Sequence, residues 1–142
     1  MPSVVPDTTV WVSLIRGGSA EERIRTALRG PTAYLPSVVV YELYQGCRTD
    51  EDRQDIDAIR QAFTQSGRLI TPTFHSWCEA ANILGRYSRT QGAVDWRDHL
   101  MDVLILLCAV QQRARVLTSN VEDFERWNQV LPSGRRVRVE TP

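Results

Sequence analysis

An α/β domain built on a largely parallel sheet is what this sequence predicts, and three observations carry that reading. Short β-branched runs alternate with longer amphipathic ones along the whole chain. The alternation fills 142 residues, the usual size of one domain with one core, so residues 1–142 are expected to form a single domain. Apolar residues at 42% and charged residues at 24% are ordinary for a globular chain and argue against disorder.

The elements follow in order. Val4-Val5 reads as a buried strand, ended by Pro6-Asp7. Val10–Ile15 reads as a short helix stopped at Gly17-Gly18, and Ser19 can cap a second helix over Ala20–Leu28. Thr32–Leu35 is a second strand, after which Pro36-Ser37 starts a helix through Tyr44 that Gly46 closes. The acidic block from Asp50 to Asp57 resembles a metal cluster at first sight. Yet Ile56, Ile59 and Phe63 fall on one helical face, and acids in early helical turns suit the dipole, so it reads as a solvated face. Arg68–Ile70 is a third strand. Pro72-Thr73 then introduces a helix whose expected buried stripe is Phe74, Trp77, Ala81 and Leu84. The next helix is capped by Asp95 or Asp98, with Asp98 favoured, and its run Val103–Val110 is apolar all round and therefore deeply buried. Val116-Leu117 is a fourth strand, Val121–Val130 a helix, and Val137–Glu140 a closing strand.

Composition excludes several chemistries. Seventeen basic and seventeen acidic residues give no net charge, so duplex DNA binding by bulk charge is not expected. All the basic residues are Arg. Cys47, Cys78 and Cys108 are widely spaced, which makes neither a disulfide framework nor a zinc site, and His75 and His99 have no ligand-like neighbours. The longest apolar run has eight residues, against the roughly 18 that span a bilayer, and the start lacks a signal-peptide pattern. A cytoplasmic protein without membrane association is expected. Carboxylates remain as the source of chemistry.

In parallel α/β sheets, sites form beyond the carboxyl ends of the strands. Asp7 directly follows the first strand, and Glu42 lies about one turn into the helix after the second. Asp102 sits in the early turns of the helix that runs back before the fourth strand. Thr118-Ser119-Asn120 follows that strand, and Asp123 enters the next helix. Topology thus puts four acids on one rim. Like charges at one place are costly, and a divalent cation resolves the repulsion. Oxygen ligands without Cys or His point to Mg²⁺ or Mn²⁺.

These residues carry a resemblance. Asp7–Val12, Ser37–Leu43 with Gly46, Asp102–Ile105 and Thr118–Phe124 resemble, in order and spacing, the motifs of PIN-domain proteins, from Asp7 to about Leu131. The compact size is most similar to VapC-type toxins of bacterial toxin–antitoxin pairs. The resemblance implies a three-layer α/β/α domain with a central, mainly parallel sheet of four to five strands. It implies an endoribonuclease that uses Mg²⁺ or Mn²⁺, is usually a homodimer, and is held inactive by a small antitoxin. It makes Asp7 and Asp102 the main metal-binding acids, Glu42 and Asp123 further catalytic acids, and Thr118 and Asn120 supporting residues. Pro6, Thr9 and the bulky Val103–Val110 depart from the family pattern, but none removes an acid. Two other classes remain: an inactive binding module of the same fold, and a carboxylate-dependent phosphatase suggested by Asp7-Thr8-Thr9. For the partner, Trp11 and Leu14 are expected to line a groove for an antitoxin helix.

Overall fold

The computed structural model describes residues 2–18 and 21–142. The elements are β1 (Ser3–Pro6), α1 (Thr8–Arg16), α2 (Glu21–Leu28), β2 (Thr32–Ala33), β3 (Leu35–Pro36), α3 (Ser37–Gln45), α4 (Asp50–Gln65), β4 (Leu69–Ile70), α5 (Phe74–Gln91), α6 (Trp96–Gln112), β5 (Arg115–Leu117), α7 (Val121–Asn128) and β6 (Val139–Glu140). A single 3-10 turn, Ser133–Arg135, precedes β6. The capping role expected of Ser19 lies outside the described residues.

The main sheet has the order β2-β1-β5-β6, with every pair parallel. Alternation along its strands explains the layers. Val5 and Val116 point into a large core built mainly on α3, α5, α6 and α7, whereas Val4 and Leu117 meet Val10, Ile24 and Ala33 on the other face. Helices therefore cover both faces of the sheet, as an α/β/α sandwich requires. Helix α6 is the axis of the larger core: Val103 to Ala109 are all buried, which is why that run carries no polar residue.

Four expectations are corrected. The stretch Thr32–Leu35 is two strands rather than one, because the chain changes partner at Tyr34. The Tyr34 N–H donates to the Val4 carbonyl at 2.9 Å, whereas the Leu35 N–H donates to Arg68 at 3.0 Å. This separates a two-stranded β3-β4 ribbon from the main sheet. Helix α5 is rotated from its expected phase, burying Ser76, Ala80, Ile83 and Leu84 and leaving Phe74 84% and Trp77 46% exposed. Helix α6 is capped by Asp95, whose carboxylate accepts from the Arg97 N–H at 3.1 Å, while Asp98 stands exposed in the first turn. Trp11 lines no groove; it is buried, edge-on to Phe63 with ring centroids 5.5 Å apart.

Other readings hold. Thr49 caps α4 and Ile56 is its buried anchor, so the acidic block is a helical face. Cys108 is buried in the core and the three cysteines are free. His99 packs against Trp127 with centroids 5.2 Å apart.

Candidate active site

Asp7 is placed by the sheet itself. Its N–H continues the β1–β5 ladder by donating to Leu117 at 2.9 Å, and its side chain turns inward to cap α1. Only 3% exposed, the carboxylate is held on both oxygens. Oδ1 accepts from Thr9 Oγ1 at 2.6 Å and from the Val10 N–H at 3.3 Å, and Oδ2 accepts from Thr118 Oγ1 at 2.6 Å. Burial of this kind disfavours the charged form unless hydrogen bonds satisfy it. Here burial wins: it raises the Asp7 carboxyl above the ordinary aspartate range, and the bonds from Thr118, Thr9 and Val10 offset only part of the shift.

The two hydroxyls are themselves fixed. Thr118 Oγ1 accepts from the Asn120 N–H at 2.9 Å, and Thr9 Oγ1 accepts from the Ser119 N–H at 3.2 Å. The loop after β5 is therefore tied to the loop after β1 through the Asp7 carboxylate. Glu42 reaches the same place from α3, where its Oε1 accepts from Thr8 Oγ1 at 2.6 Å. Burial raises the Glu42 carboxyl, the Thr8 bond lowers it, and the charge of Asp7 raises it further.

Asp102 completes the cluster from the second turn of α6. Burial, then the charges of Glu42, Asp7 and Asp123, push its carboxyl from the ordinary 3.8 up to about 7. Among the described residues it has no hydrogen-bonded or cationic partner to offset them. Asp123, in the first turn of α7, is more open and lies 3.7 Å from the Arg126 guanidinium. The four acids thus share one rim and one electrostatic field. Asn120 stands beside them as the residue before α7, and its side chain makes no capping bond.

The donor chemistry fits a hard divalent cation. The acids and Thr hydroxyls offer oxygen ligands, and the Asp102 carboxylate, once ionised, has no compensating cation among the described residues. The side chains do not form a ready-made cage: among the described residues no three His, Cys, Asp or Glu side chains close together as one. Sequence reasoning missed Thr8 and Thr9 as the groups that hold Glu42 and Asp7. The only available signal was the hydroxyl pair directly after an acid at a strand end.

A model of the PIN domain family matches residues 4–128, a stretch that includes all four acids. The chain belongs to the PIN domain family. No curated protein matches the sequence significantly. Solved structures similar to this PIN protein include VapBC2 from Rickettsia felis bound to a DNA fragment from its promoter, at 16% identity and a TM-score of 0.66, covering 99% of this chain and 98% of that one. DNA-bound VapBC from Salmonella typhimurium is similar at 19% identity and a TM-score of 0.66, with the same coverage. FitAcB from Neisseria gonorrhoeae follows at 19% identity and a TM-score of 0.63, covering 96% of each chain. At these identities the likeness is one of fold. No helix among the described residues is long and apolar enough to cross a membrane.

Proposed function

We propose that this PIN protein is a Mg²⁺- or Mn²⁺-dependent endoribonuclease and the toxin of a toxin–antitoxin pair, acting in the cytoplasm. The observation that carries the reading is the convergence of Asp7, Glu42, Asp102 and Asp123 beyond the carboxyl ends of β1 and β5, on a PIN fold. Asp7 and Asp102 would hold the cation, with Glu42 and Asp123 beside it and Thr118 and Asn120 in support. A bound Mg²⁺ or Mn²⁺ makes a water more acidic and offsets charge developing on a phosphate. The protein's own part is to keep Asp7 oriented through Thr9 and Thr118, and Glu42 through Thr8. Glu42, through the oxygen that Thr8 leaves unbonded, and Asp123 would orient water and accept its proton.

The test is to incubate Mg²⁺- or Mn²⁺-loaded protein with structured RNA and, separately, with p-nitrophenyl phosphate. RNA fragments without nitrophenol are expected. Intact RNA would favour the inactive binding module, and nitrophenol release the phosphatase. Against the phosphatase stands Thr9, whose hydroxyl is committed to Asp7 where a second aspartate would be needed.

Two partners fit the surface. A second copy of the chain is the occupant we assign to the apolar groove between α5 and α6, a cavity of about 430 Å³ lined by Trp77, Leu84, Val94, Trp96 and Leu100. Phe74, Trp77 and Trp96 (the last 55% exposed) are large aromatics left uncovered on this face. Changing Trp77 and Trp96 to Ser should shift the protein from dimer to monomer mass in sedimentation. Wild-type protein already monomeric at tens of micromolar would refute this.

For the antitoxin we assign a small hollow of about 50 Å³ beside Glu42, lined by Val12, Ile15, Leu43 and Ile56 and bordered by Arg16. It takes the tip of one apolar side chain of a partner helix, from which an Arg reaches the acids. Antitoxin affinity measured by calorimetry should fall as Mg²⁺ is raised. Affinity independent of Mg²⁺ would place the antitoxin away from the rim.

A further inference from the structure

The acids occupy one pole of the sheet, and a concentration of arginine occupies the other. A cleft of about 680 Å³ opens at the amino ends of the strands, between Pro2-Ser3, the end of α6, the start of β5 and the segment before β6. Arg113, Arg115, Arg135, Arg136 and Arg138 line it, and no acid does. In a chain without net charge, five of seventeen arginines at one cleft is a strong local excess.

Part of that charge is structural. Arg135 forms a two-pronged ion pair with Glu79, and Arg136 donates to the Leu131 and Gln129 carbonyls at 3.0 Å each. These contacts brace the 3-10 turn and do not explain the other three. Arg115 and Arg138 share one carboxylate, Glu140, each at 3.3 Å. The Arg115 Nε–H is buried without an aligned acceptor, and the Arg138 side chain is 84% exposed. Arg113 has no carboxylate partner among the described residues. Five guanidiniums thus meet two carboxylates, and the cleft keeps positive charge.

Arg113 is also an unusual choice of residue. It closes α6 with φ +51°, the left-handed region where glycine is the low-cost choice. The helix does not need the guanidinium there, because the Arg113 and Ala114 N–H groups already close the last carbonyls. A strained arginine facing a cleft is better explained by what it contacts.

We infer that this cleft is a second RNA-binding site, one that grips the phosphate backbone of the chain whose cleavage is proposed at the acid rim. Guanidinium groups match phosphate geometry. The lining otherwise consists of Pro2, Ser3, Val110, Ala114, Gly134 and Val137, with no aromatic ring on which a base could stack. Recognition is therefore of backbone charge and not of sequence. The cleft and the rim lie at opposite ends of β1 and β5, with Ser3 and Arg115 at one end and Asp7 and Thr118 at the other. That is about 13 Å along the buried strand β1, and a single-stranded RNA reaches both sites by running around the edge of the sheet.

This inference rests on the ribonuclease reading for its ligand, and its test separates the two. Binding of a fluorescein-labelled single-stranded RNA of about 20 nucleotides is followed by anisotropy in EDTA, over a range of salt, so that no cleavage occurs. Arg113→Gly with Arg138→Ser is compared with wild type; the glycine suits the left-handed backbone and should preserve the fold. We expect affinity to drop about tenfold at low salt, and the slope of log K against log salt to become shallower by roughly 1.4 for two lost contacts. Arg53→Ser, which removes an exposed arginine of α4 outside the cleft, should keep the wild-type slope. Unchanged affinity and slope in the arginine variant would overturn the inference, as would displacement of the RNA from wild type by low-micromolar polyglutamate, which would assign the cleft to an acidic protein. RNA that binds with the expected slopes but stays intact with Mg²⁺ or Mn²⁺ would overturn the ribonuclease reading and leave the cleft standing.

Discussion

Asp7→Asn or Asp102→Asn should reduce RNA cleavage on the order of a thousandfold, the scale at which loss of a charge-stabilising group acts in an active site. Neither change alters side-chain size, so the fold should persist. The two variants fail differently. In Asp102→Asn a carboxylate without a protein partner among the described residues disappears, and only the proposed cation ligand is lost. In Asp7→Asn one oxygen becomes an NH₂ group facing a hydroxyl, either Thr118 or Thr9, each of which now donates at 2.6 Å. That hydroxyl must rotate, giving up its present bond. A Thr118→Val variant isolates this effect: it keeps every acid but removes a donor from Asp7 and should cost about 10–100-fold, the usual scale for a group that orients a metal ligand. Cleavage rates at saturating Mg²⁺, with circular dichroism to confirm folding, check all three. Full activity in Asp7→Asn would remove that residue from the site.

How much of this was legible beforehand differs between fold and site. The four acids could be found because parallel topology is a strong constraint: whatever follows β1 and β5 must emerge on one rim, and Asp7 and Thr118 do. The hydroxyls of Thr8 and Thr9 could not be assigned, because periodicity fixes which face a residue takes and not which acceptor a rotatable O–H finds. In α5, two stripes satisfy the helical period. Phe74, Trp77 and Ala81 form the more hydrophobic one, yet Ser76, Ala80 and Ile83 face the core. Hydrophobicity selects burial, but it does not say whether the covering surface belongs to the same chain. The break at Tyr34 was invisible for a similar reason: a change of strand partner is decided by Val4 and Arg68, both distant in sequence. Asp95 and Asp98 are chemically equal caps, and the choice followed from where α6 begins.

The metal-free protein should lose stability as pH rises from about 4 to 8, opposite to the behaviour of a protein held by salt-bridged carboxylates. The sign follows from Asp102. Its carboxyl titrates near the ordinary 3.8 in an unfolded chain and at about 7 in the fold. Between those values the folded protein binds a proton that the unfolded chain does not, so raising the pH favours unfolding. Asp7 and Glu42 are raised as well and act in the same direction. Asp95 is lowered, first by its bond to Arg97, and acts in the opposite direction, but it lies at the exposed surface where solvent screens it. A shift of this size in a half-buried carboxyl is worth about 2–4 kcal/mol, a large part of the roughly 5–15 kcal/mol that holds a domain together. Urea unfolding in EDTA should therefore give a lower midpoint at pH 8 than at pH 5. Asp102→Asn should remove most of that difference and be the more stable protein at pH 8, because it carries no charge to repel Glu42 and Asp7. Adding Mg²⁺ or Mn²⁺ should raise the wild-type midpoint at pH 8 by mass action and leave Asp102→Asn far less affected. A wild-type protein at least as stable at pH 8 as at pH 5 without metal would mean that the acid cluster is already neutralised by the fold, and that the rim has no unmet need for a cation.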